Sequence, residues 1–311
     1  MIVISEFMDE AAVESLRAEF DVQHEPTLVD RPADLHAAMQ RAAALIVRNR
    51  TQVDAAFIAS APKLKVVGRL GVGLDNIDTA ACSARGIEVI AATGANAVSV
   101  AEYVVTTAMM LLRGVYGSTV DVAAGRWPRA QLSQGREIRG KTLALIGFGS
   151  IGRVTARLAQ NLGMQVIAHD PLVAAADAVW REHGVACRSL EALLAEADVV
   201  SLHVPLSAQT RGMLNASRIA LMKRGAMVIN TARGGIVDEG AVIDALRSGA
   251  LGGAALDVFE HEPLAASAAW ADVPNLILTP HVAGVTAEAN ARVSALIAQR
   301  VATSLLALRS R

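Results

Sequence analysis

The sequence is poor in aromatic residues and carries almost no net charge. Phe, Trp and Tyr make up 3% of the 311 residues, whereas apolar residues make up 53%. A formal net charge of −1 gives no electrostatic basis for binding nucleic acid or a membrane surface. The composition therefore favours a soluble α/β protein rich in Ala, Val and Leu, with neither of these partners.

Cysteine is also scarce, and we expect neither a signal peptide nor a membrane-spanning segment. Cys82 and Cys187 have neither a Cys-x-x-Cys nor a metal-binding spacing, which excludes a cysteine-based metal site and fits a reducing cytoplasm. Residues 1–10, MIVISEFMDE, lack the basic start and apolar core of a signal peptide. Apolar runs stay below the roughly 18 residues that a membrane span requires. We expect a cytoplasmic protein without a bound metal.

Short apolar runs that predict strands alternate with stretches that predict helices. The predicted strands are Ile2–Ile4, 43–47, 64–68 and 88–90, then 199–203, Ala226–Asn230, 254–258 and 276–279. Residues 100–115 predict a long apolar helix, residues 117–140 a polar linker, and residues 286–308 a final helix. This alternation predicts parallel, doubly wound sheets, which bind ligands at the carboxyl ends of their strands.

Residues 141–170 combine a strand, a glycine-rich turn, a helix and a second strand. The apolar run Thr142–Ile146 predicts a buried strand, and GFGSIG follows at residues 147–152. Gly147 permits a sharp turn, Gly149 lets the backbone approach a pyrophosphate, and Gly152 allows close packing of helix and strand. The helix N-terminus offers free N–H groups to phosphates. The segment therefore predicts dinucleotide binding.

The residues after the second strand select the dinucleotide. Asp170 ends this strand and can accept hydrogen bonds from ribose hydroxyls, and its charge would repel a 2′-phosphate. Pro171 follows in place of a basic residue. NAD is therefore favoured over NADP.

A second phosphate-binding pattern lies just upstream. Residues 135–142, GREIRGKT, match G-x-x-x-x-G-K-[ST], which binds phosphate only where it follows a strand and opens a helix. Here the pattern precedes a strand. We interpret it as a loop and exclude ATP hydrolysis.

Three polar residues follow successive predicted strands in the second half of the chain. Arg233, Glu262 and His281 each come shortly after a strand. Reversible hydride transfer to a 2-keto acid needs a guanidinium that holds the carboxylate or polarises the carbonyl. It needs an imidazole that gives the new hydroxyl group its proton. It also needs a carboxylate that orients the imidazole. The three residues therefore predict a catalytic set.

Six motifs together resemble the D-isomer-specific 2-hydroxyacid dehydrogenase family. They are GVGLDNID at 71–78, GFGSIG at 147–152, HVPL at 203–206, NTARGGIVDEGAVIDAL at 230–246, ALDVFEHEPL at 255–264 and TPHVAGVT at 279–286. The resemblance is closest to the phosphoglycerate dehydrogenase-like branch without a regulatory domain. It implies a Rossmann NAD-binding domain, residues 99–285, inserted in a flavodoxin-like substrate-binding domain, residues 1–98 plus 286–311. It also implies a homodimer and an active site in the cleft between the domains.

The same resemblance implies roles for individual residues. Arg233, Glu262 and His281 match the catalytic set, with His281 as the acid/base, whereas His203 and His261 match no catalytic position. Besides Asp170 and the three glycines, the residues implied in cofactor binding are Ser150, Ile151, Pro205, Thr231, Asp257 and Gly284.

The first half of the chain contains the candidates for substrate binding. Val72 and Gly73 could bind a carboxylate through their backbone amides, and the resemblance adds Asn96. Arg48 and Arg50 follow another strand, where phosphoglycerate dehydrogenases hold the second anionic group of the substrate. Asn49 replaces the usual small hydroxyl residue between them, which disfavours phosphate specifically but still allows an anion.

We therefore expect the substrate to be a three-carbon 2-hydroxy acid with a terminal anion, either 3-phosphoglycerate or 3-sulfolactate. (S)-3-Sulfolactate has the same arrangement of groups at C2 as a D-2-hydroxy acid. Its descriptor is S because sulfur outranks oxygen when the substituents are ranked. Two alternatives stay open: a hydroxypyruvate/glyoxylate reductase, and a non-catalytic NAD-sensing scaffold.

Overall fold

A computed structural model describes residues 1–309 and divides the chain into two compact units. Unit 1 consists of Met1–Asn96 and Val285–Arg311, and unit 2 of Ala97–Gly284. The last two positions of the predicted segment 286–311 lie outside the described residues.

Each unit contains one sheet with helices between its strands. The strands are β1 Ile2–Ile4, β2 Val22–His24, β3 Ala44–Val47, β4 Val66–Arg69, β5 Glu88–Ala91, β6 Thr142–Ile146, β7 Gln165–His169, β8 Ala186–Cys187, β9 Val199–Leu202, β10 Ala226–Asn230, β11 Leu251–Leu256 and β12 Leu276–Leu278. The helices are α1 Glu10–Arg17, α2 Pro32–Met39, α3 Ala55–Ser60, α4 Thr79–Ala84, α5 Ala97–Arg113, α6 Thr119–Ala123, α7 Arg129–Leu132, α8 Ser150–Asn161, α9 Ala178–Glu182, α10 Leu190–Glu196, α11 Ala216–Ile219, α12 Glu239–Arg247 and α13 Ala287–Arg309.

Unit 1 has a five-stranded parallel sheet in the order β2-β1-β3-β4-β5. Its central strand β3 is buried throughout, as expected for a parallel strand covered on both faces. Helix α13 packs so closely on β4 that a Cβ atom at Gly68 would lie 2.8 Å from Val301 Cγ2. The strand order reverses between β1 and β3, and this is the point where such sheets bind ligands.

Unit 2 has a seven-stranded parallel sheet in the order β12-β11-β10-β9-β6-β7-β8. Its order reverses between β6 and β9, both of which lead into loops with predicted cofactor residues. Helices α5 and α8 pack on one face of the sheet, and Phe148 stacks on Trp180 with 4.9 Å between ring centroids. The predicted fold class, with two doubly wound parallel sheets, is confirmed.

The interpretation of residues 117–140 as a linker is wrong. The segment belongs to unit 2 and contains α6 and α7. Gly135 packs against the end of α5, and a Cβ atom there would lie 2.6 Å from the Arg113 carbonyl oxygen. Its polar composition reflects a solvent-exposed face of unit 2. Residues 135–142 lead directly into β6, which confirms that they form an entry loop.

Helix α13 is long and apolar enough to cross a membrane by length and composition alone. This is weak evidence, because core helices of soluble proteins pass the same test. Here Val293, Ile297 and Val301 on one face of the helix belong to the core of unit 1, together with residues of α1 and β4. One face of α13 therefore packs within unit 1.

Candidate active site

The glycine loop after β6 is shaped by contacts that only glycine allows. Gly147 has a φ of +98°, and a Cβ atom there would lie 2.5 Å from the His203 carbonyl oxygen. A Cβ atom at Gly152 would lie 2.5 Å from the Gly147 carbonyl oxygen, so α8 can start close to β6. Gly149 differs, because a Cβ atom there would meet no atom within 4 Å. Gly147 and Gly152 thus allow close packing, whereas Gly149 borders open space.

Asp170 fixes the other side of this loop. Its Oδ2 accepts a hydrogen bond from the Phe148 amide over 2.8 Å, and its Oδ1 accepts one from the Leu172 amide over 2.9 Å. The carboxylate therefore ties the glycine loop to the end of β7. Each oxygen keeps a further lone pair that can accept a hydrogen bond from a hydroxyl group.

The surroundings of this loop fit a dinucleotide. Helix α8 begins at Ser150 and Ile151 without a side-chain cap on its first amides, and such free N–H groups bind phosphate. The Thr231 hydroxyl after β10 is buried and has no hydrogen-bond partner among the described residues. A buried hydroxyl of this kind is normally satisfied, so Thr231 fits a polar group of a bound cofactor.

Pro205 and Gly284, two further predicted cofactor residues, lie at loop positions. Pro205 is exposed after β9, and its carbonyl oxygen accepts a hydrogen bond from the Thr210 hydroxyl over 2.6 Å. Gly284 is the half-buried last residue of unit 2. Half-buried His203 lies in the same loop as Pro205, and its desolvation lowers its pKa to about 4. The imidazole of His203 is therefore neutral at physiological pH.

Arg233 lies in a rigid turn after β10. The buried Asn230 side chain donates to the Arg233 carbonyl oxygen over 2.9 Å and accepts from the Ala232 amide over 3.0 Å. A Cβ atom at Gly234 would lie 1.8 Å from the Phe259 carbonyl oxygen. The turn with Arg233 therefore packs directly on the loop that contains Glu262.

Glu262 and His281 form a hydrogen-bonded pair. His281 Nδ1 lies 2.7 Å from Glu262 Oε2, and the other oxygen, Oε1, accepts the Phe259 amide over 2.9 Å. The carboxylate is thus fixed by the backbone while it orients the ring. Because Nδ1 faces Glu262, Nε2 is the nitrogen left for exchanging a proton with a substrate. The His281 side chain is 46% exposed, so a ligand can reach it.

Buried Asp257 holds the backbone of His281 in place. The Asp257 side chain accepts hydrogen bonds from the Thr279 hydroxyl at 2.6 Å, the Val282 amide at 2.9 Å and the Ala283 amide at 2.8 Å. Its carbonyl oxygen accepts the His281 amide over 2.8 Å. His281 has a φ of +56°, a sparsely populated conformation that needs such support.

The supporting role of Asp257, its partner Thr279 and the contact of Thr279 with Tyr103 were not predicted from the sequence. The Tyr103 hydroxyl on α5 lies 2.6 Å from the Thr279 hydroxyl, which in turn bonds Asp257. Tyr103 lies outside every recognised motif, and its partner is 176 positions away in the chain. Thr279 stands in the TPHVAGVT motif, which was the one available signal.

The two candidate arginines of unit 1 have different environments. Half-buried Arg48 donates through Nη2 to Asn290 Oδ1 over 3.0 Å, and its guanidinium carbon lies 5.7 Å from the centroid of the Phe7 ring. Arg50 is exposed and forms an ion pair with Asp30. The Arg50 charge is thus neutralised within unit 1, whereas Arg48 donates to a neutral amide.

The other predicted substrate residues lie after β4 and at the end of unit 1. Val72 and Gly73 are half-buried. Arg69 donates to the Leu70 carbonyl oxygen over 2.9 Å, so its side chain supports this loop. Asn96 Oδ1 is buried and has no hydrogen-bond partner within residues 1–309. Asn96 therefore resembles Thr231 in fitting a polar ligand.

Comparison with known proteins gives matches over nearly the whole chain. A family model described as D-isomer specific 2-hydroxyacid dehydrogenase, NAD binding domain, matches residues 105–283. An (S)-sulfolactate dehydrogenase from Chromohalobacter salexigens is 55% identical over 98% of both chains. A D-3-phosphoglycerate dehydrogenase from Mycobacterium leprae is 38% identical over 98% of this chain, which spans 57% of that relative.

Solved structures agree with these matches. The D-lactate dehydrogenase from Aquifex aeolicus in complex with NAD and lactic acid is 26% identical, with a TM-score of 0.85. The match covers 99% of this chain and 96% of that one.

Proposed function

The chain belongs to the D-isomer-specific 2-hydroxyacid dehydrogenase family and is an NAD-dependent oxidoreductase, and from this premise we propose that it interconverts (S)-3-sulfolactate and 3-sulfopyruvate. The observation that carries this choice is the match to a sulfolactate dehydrogenase over 98% of both chains. The matched phosphoglycerate dehydrogenase is less similar and nearly twice as long, so 3-phosphoglycerate is the second choice.

Unit 2 contains the residues for cofactor binding and catalysis. The glycine loop, Asp170 and Thr231 hold NAD, which supplies the hydride acceptor or donor at its nicotinamide ring. In the oxidation direction His281 removes the hydroxyl proton through Nε2, and in the reduction direction it returns the proton. Glu262 stabilises the imidazolium that forms. Arg233 binds the carboxylate or the developing oxyanion with a charge-assisted hydrogen bond.

Unit 1 contains the residues for substrate recognition. Arg48 binds the sulfonate, the group that distinguishes sulfolactate from lactate and glycerate. The amides of Val72 and Gly73, with Asn96, bind the carboxylate end. Arg50 contributes less, because its ion pair with Asp30 already satisfies its charge.

We expect Arg48→Gln to raise the KM for 3-sulfopyruvate about 10- to 100-fold, because a hydrogen bond to a charged group is worth about 1.5–3 kcal/mol. The KM for glyoxylate, which has no second anion, should change by less than about threefold. Initial rates of NADH oxidation measure both. Arg50→Gln is the matched comparison and should have a smaller effect. Equal losses for the two substrates would contradict an anion-binding role and favour a general glyoxylate or hydroxypyruvate reductase.

The proposal includes a homodimer that acts in the cytoplasm. Unit 2 exposes several large apolar side chains in one segment, including Val120 at 74% and Trp127 at 77% exposure, and such clusters mark contact surfaces. Light scattering of the purified protein should give twice the chain mass of 32.5 kDa. A mass of one chain would contradict the dimer, and recovery in a membrane fraction would contradict the localisation.

A further inference from the structure

Glu6 is a buried carboxylate that receives four backbone hydrogen bonds from one turn. It lies two residues after the end of β1 and is 4% exposed. Its Oε1 accepts the amides of Arg48 at 2.9 Å and Thr51 at 3.1 Å, and its Oε2 those of Asn49 at 3.3 Å and Arg50 at 3.1 Å. Every amide of the turn after β3 thus points at one side chain.

Converging backbone amides of this kind form an anion-binding cradle. Here the cradle is filled by the protein's own carboxylate, so the turn amides are not available to a substrate anion. Burial would raise the pKa of Glu6, but the hydrogen bonds from Thr51, Arg48 and Arg50 together lower it. Glu6 is therefore ionised at neutral pH and holds the turn as an anion.

The turn lies at the point where the strand order of unit 1 reverses. Glu6 and Phe7 follow β1, and Arg48 follows β3, the neighbouring strand on the other side of the reversal. Sheets of this order bind their ligand there. Phe7 is 49% exposed and lies against the Arg48 guanidinium. The turn therefore places the Arg48 guanidinium, in contact with the Phe7 ring, at the expected ligand site.

We propose that Glu6 is the positioning residue of the substrate's second anion site: its carboxylate fixes the Arg48–Thr51 turn and thereby the direction of the Arg48 guanidinium. The inference rests on the function proposed above, which assigns the sulfonate to Arg48. Glu6 itself does not touch the substrate, since its like charge would repel it. Its effect is confined to substrates with a second anion.

The sharpest test is Glu6→Gln, which keeps the size of the side chain and removes its charge. The amide oxygen can accept from the amides on one side of the turn, but the NH₂ group would face the others. We expect the KM for 3-sulfopyruvate to rise about 10-fold or more. The kcat for 3-sulfopyruvate and the KM for glyoxylate should each change by less than about threefold.

Two further variants separate positioning from a purely structural role. In the Arg48→Gln background, adding Glu6→Gln should lower kcat/KM for 3-sulfopyruvate by less than about threefold, because Glu6 acts only through Arg48. Glu6→Asp keeps the charge on a shorter side chain and should give a smaller KM increase. Glu14→Gln, an exposed glutamate on α1 paired with Arg17, is the matched control and should leave all constants unchanged.

The role of Glu6 in fixing the turn can also be tested without any substrate, by measuring hydrogen exchange of the turn amides. In Glu6→Gln the amides of residues 48–51 should exchange faster than in the parent protein. If the parent protein shows no preference for 3-sulfopyruvate over glyoxylate, the proposed function fails, while faster exchange still supports the positioning of the turn.

Two results would overturn the role of Glu6. One is unchanged exchange at residues 48–51 in Glu6→Gln. The other is an equal loss for 3-sulfopyruvate and glyoxylate, which identifies Glu6 as a fold residue only. If Glu6→Gln does not fold, Glu6→Asp decides the question by the same comparison of the two substrates.

Discussion

Replacing His281 with Gln should lower kcat for 3-sulfopyruvate reduction by about 10²- to 10⁴-fold, the usual contribution of a positioned acid/base group. The introduced amide could still accept or donate a hydrogen bond but could not exchange the proton. The affinity for NADH should stay within about threefold of the parent value, because the glycine loop and Asp170 are untouched. Steady-state rates measure the first effect, and NADH fluorescence titration measures the second.

His261 provides a matched control for this variant. It is an exposed histidine in the loop of Glu262, and His261→Gln should leave kcat unchanged within about twofold. A His281→Gln protein with full activity would exclude His281 as the acid/base. Loss of NADH binding together with activity would instead indicate damage to unit 2 as a whole.

Arg233→Gln should lower kcat/KM by about 10²- to 10³-fold, comparable with the loss of one donor to a developing oxyanion. The neutral amide cannot offer the forked, charged hydrogen bonds of a guanidinium. Arg233→Lys should recover only part of the loss, since a point charge replaces the planar fork. The rates are measured with 3-sulfopyruvate at saturating NADH.

The control for Arg233 lies at the opposite end of the same strand. Arg224 is exposed just before β10, whereas Arg233 follows its carboxyl end. Arg224→Gln should keep full activity, because the amino ends of parallel strands face away from the ligand. Equal losses for the two variants would contradict a specific role for Arg233.

The parts of the fold that the sequence predicted correctly have strong local signals. The inner strands are continuous apolar runs, and the glycine loop combines a turn, a helix start and an acid at fixed spacing. The missed strands β2 and β8 have three and two residues, too few for a periodic pattern. Both lie at sheet edges, where pairing with a neighbouring strand decides their conformation.

The contacts that organise the candidate site could not be predicted in the same way. Arg48 and Arg50 look equivalent in the sequence, and only the fold pairs Arg50 with Asp30, 20 positions earlier. The distance along the chain between Glu6 and the turn it holds exceeds 40 positions. Such contacts depend on which strands become neighbours, which no local pattern specifies.

The preference for sulfolactate is best measured as the rate at which the purified protein reduces NAD⁺ with (S)-3-sulfolactate, compared with D-3-phosphoglycerate, D-glycerate and D-lactate. We predict the highest kcat/KM for sulfolactate, at or above about 10⁴ M⁻¹s⁻¹, and the lowest values for glycerate and lactate. A preference for glycerate or lactate would contradict the second anion site. No turnover of any acid by a protein that still binds NADH would contradict the enzyme assignment and favour an NAD-sensing scaffold.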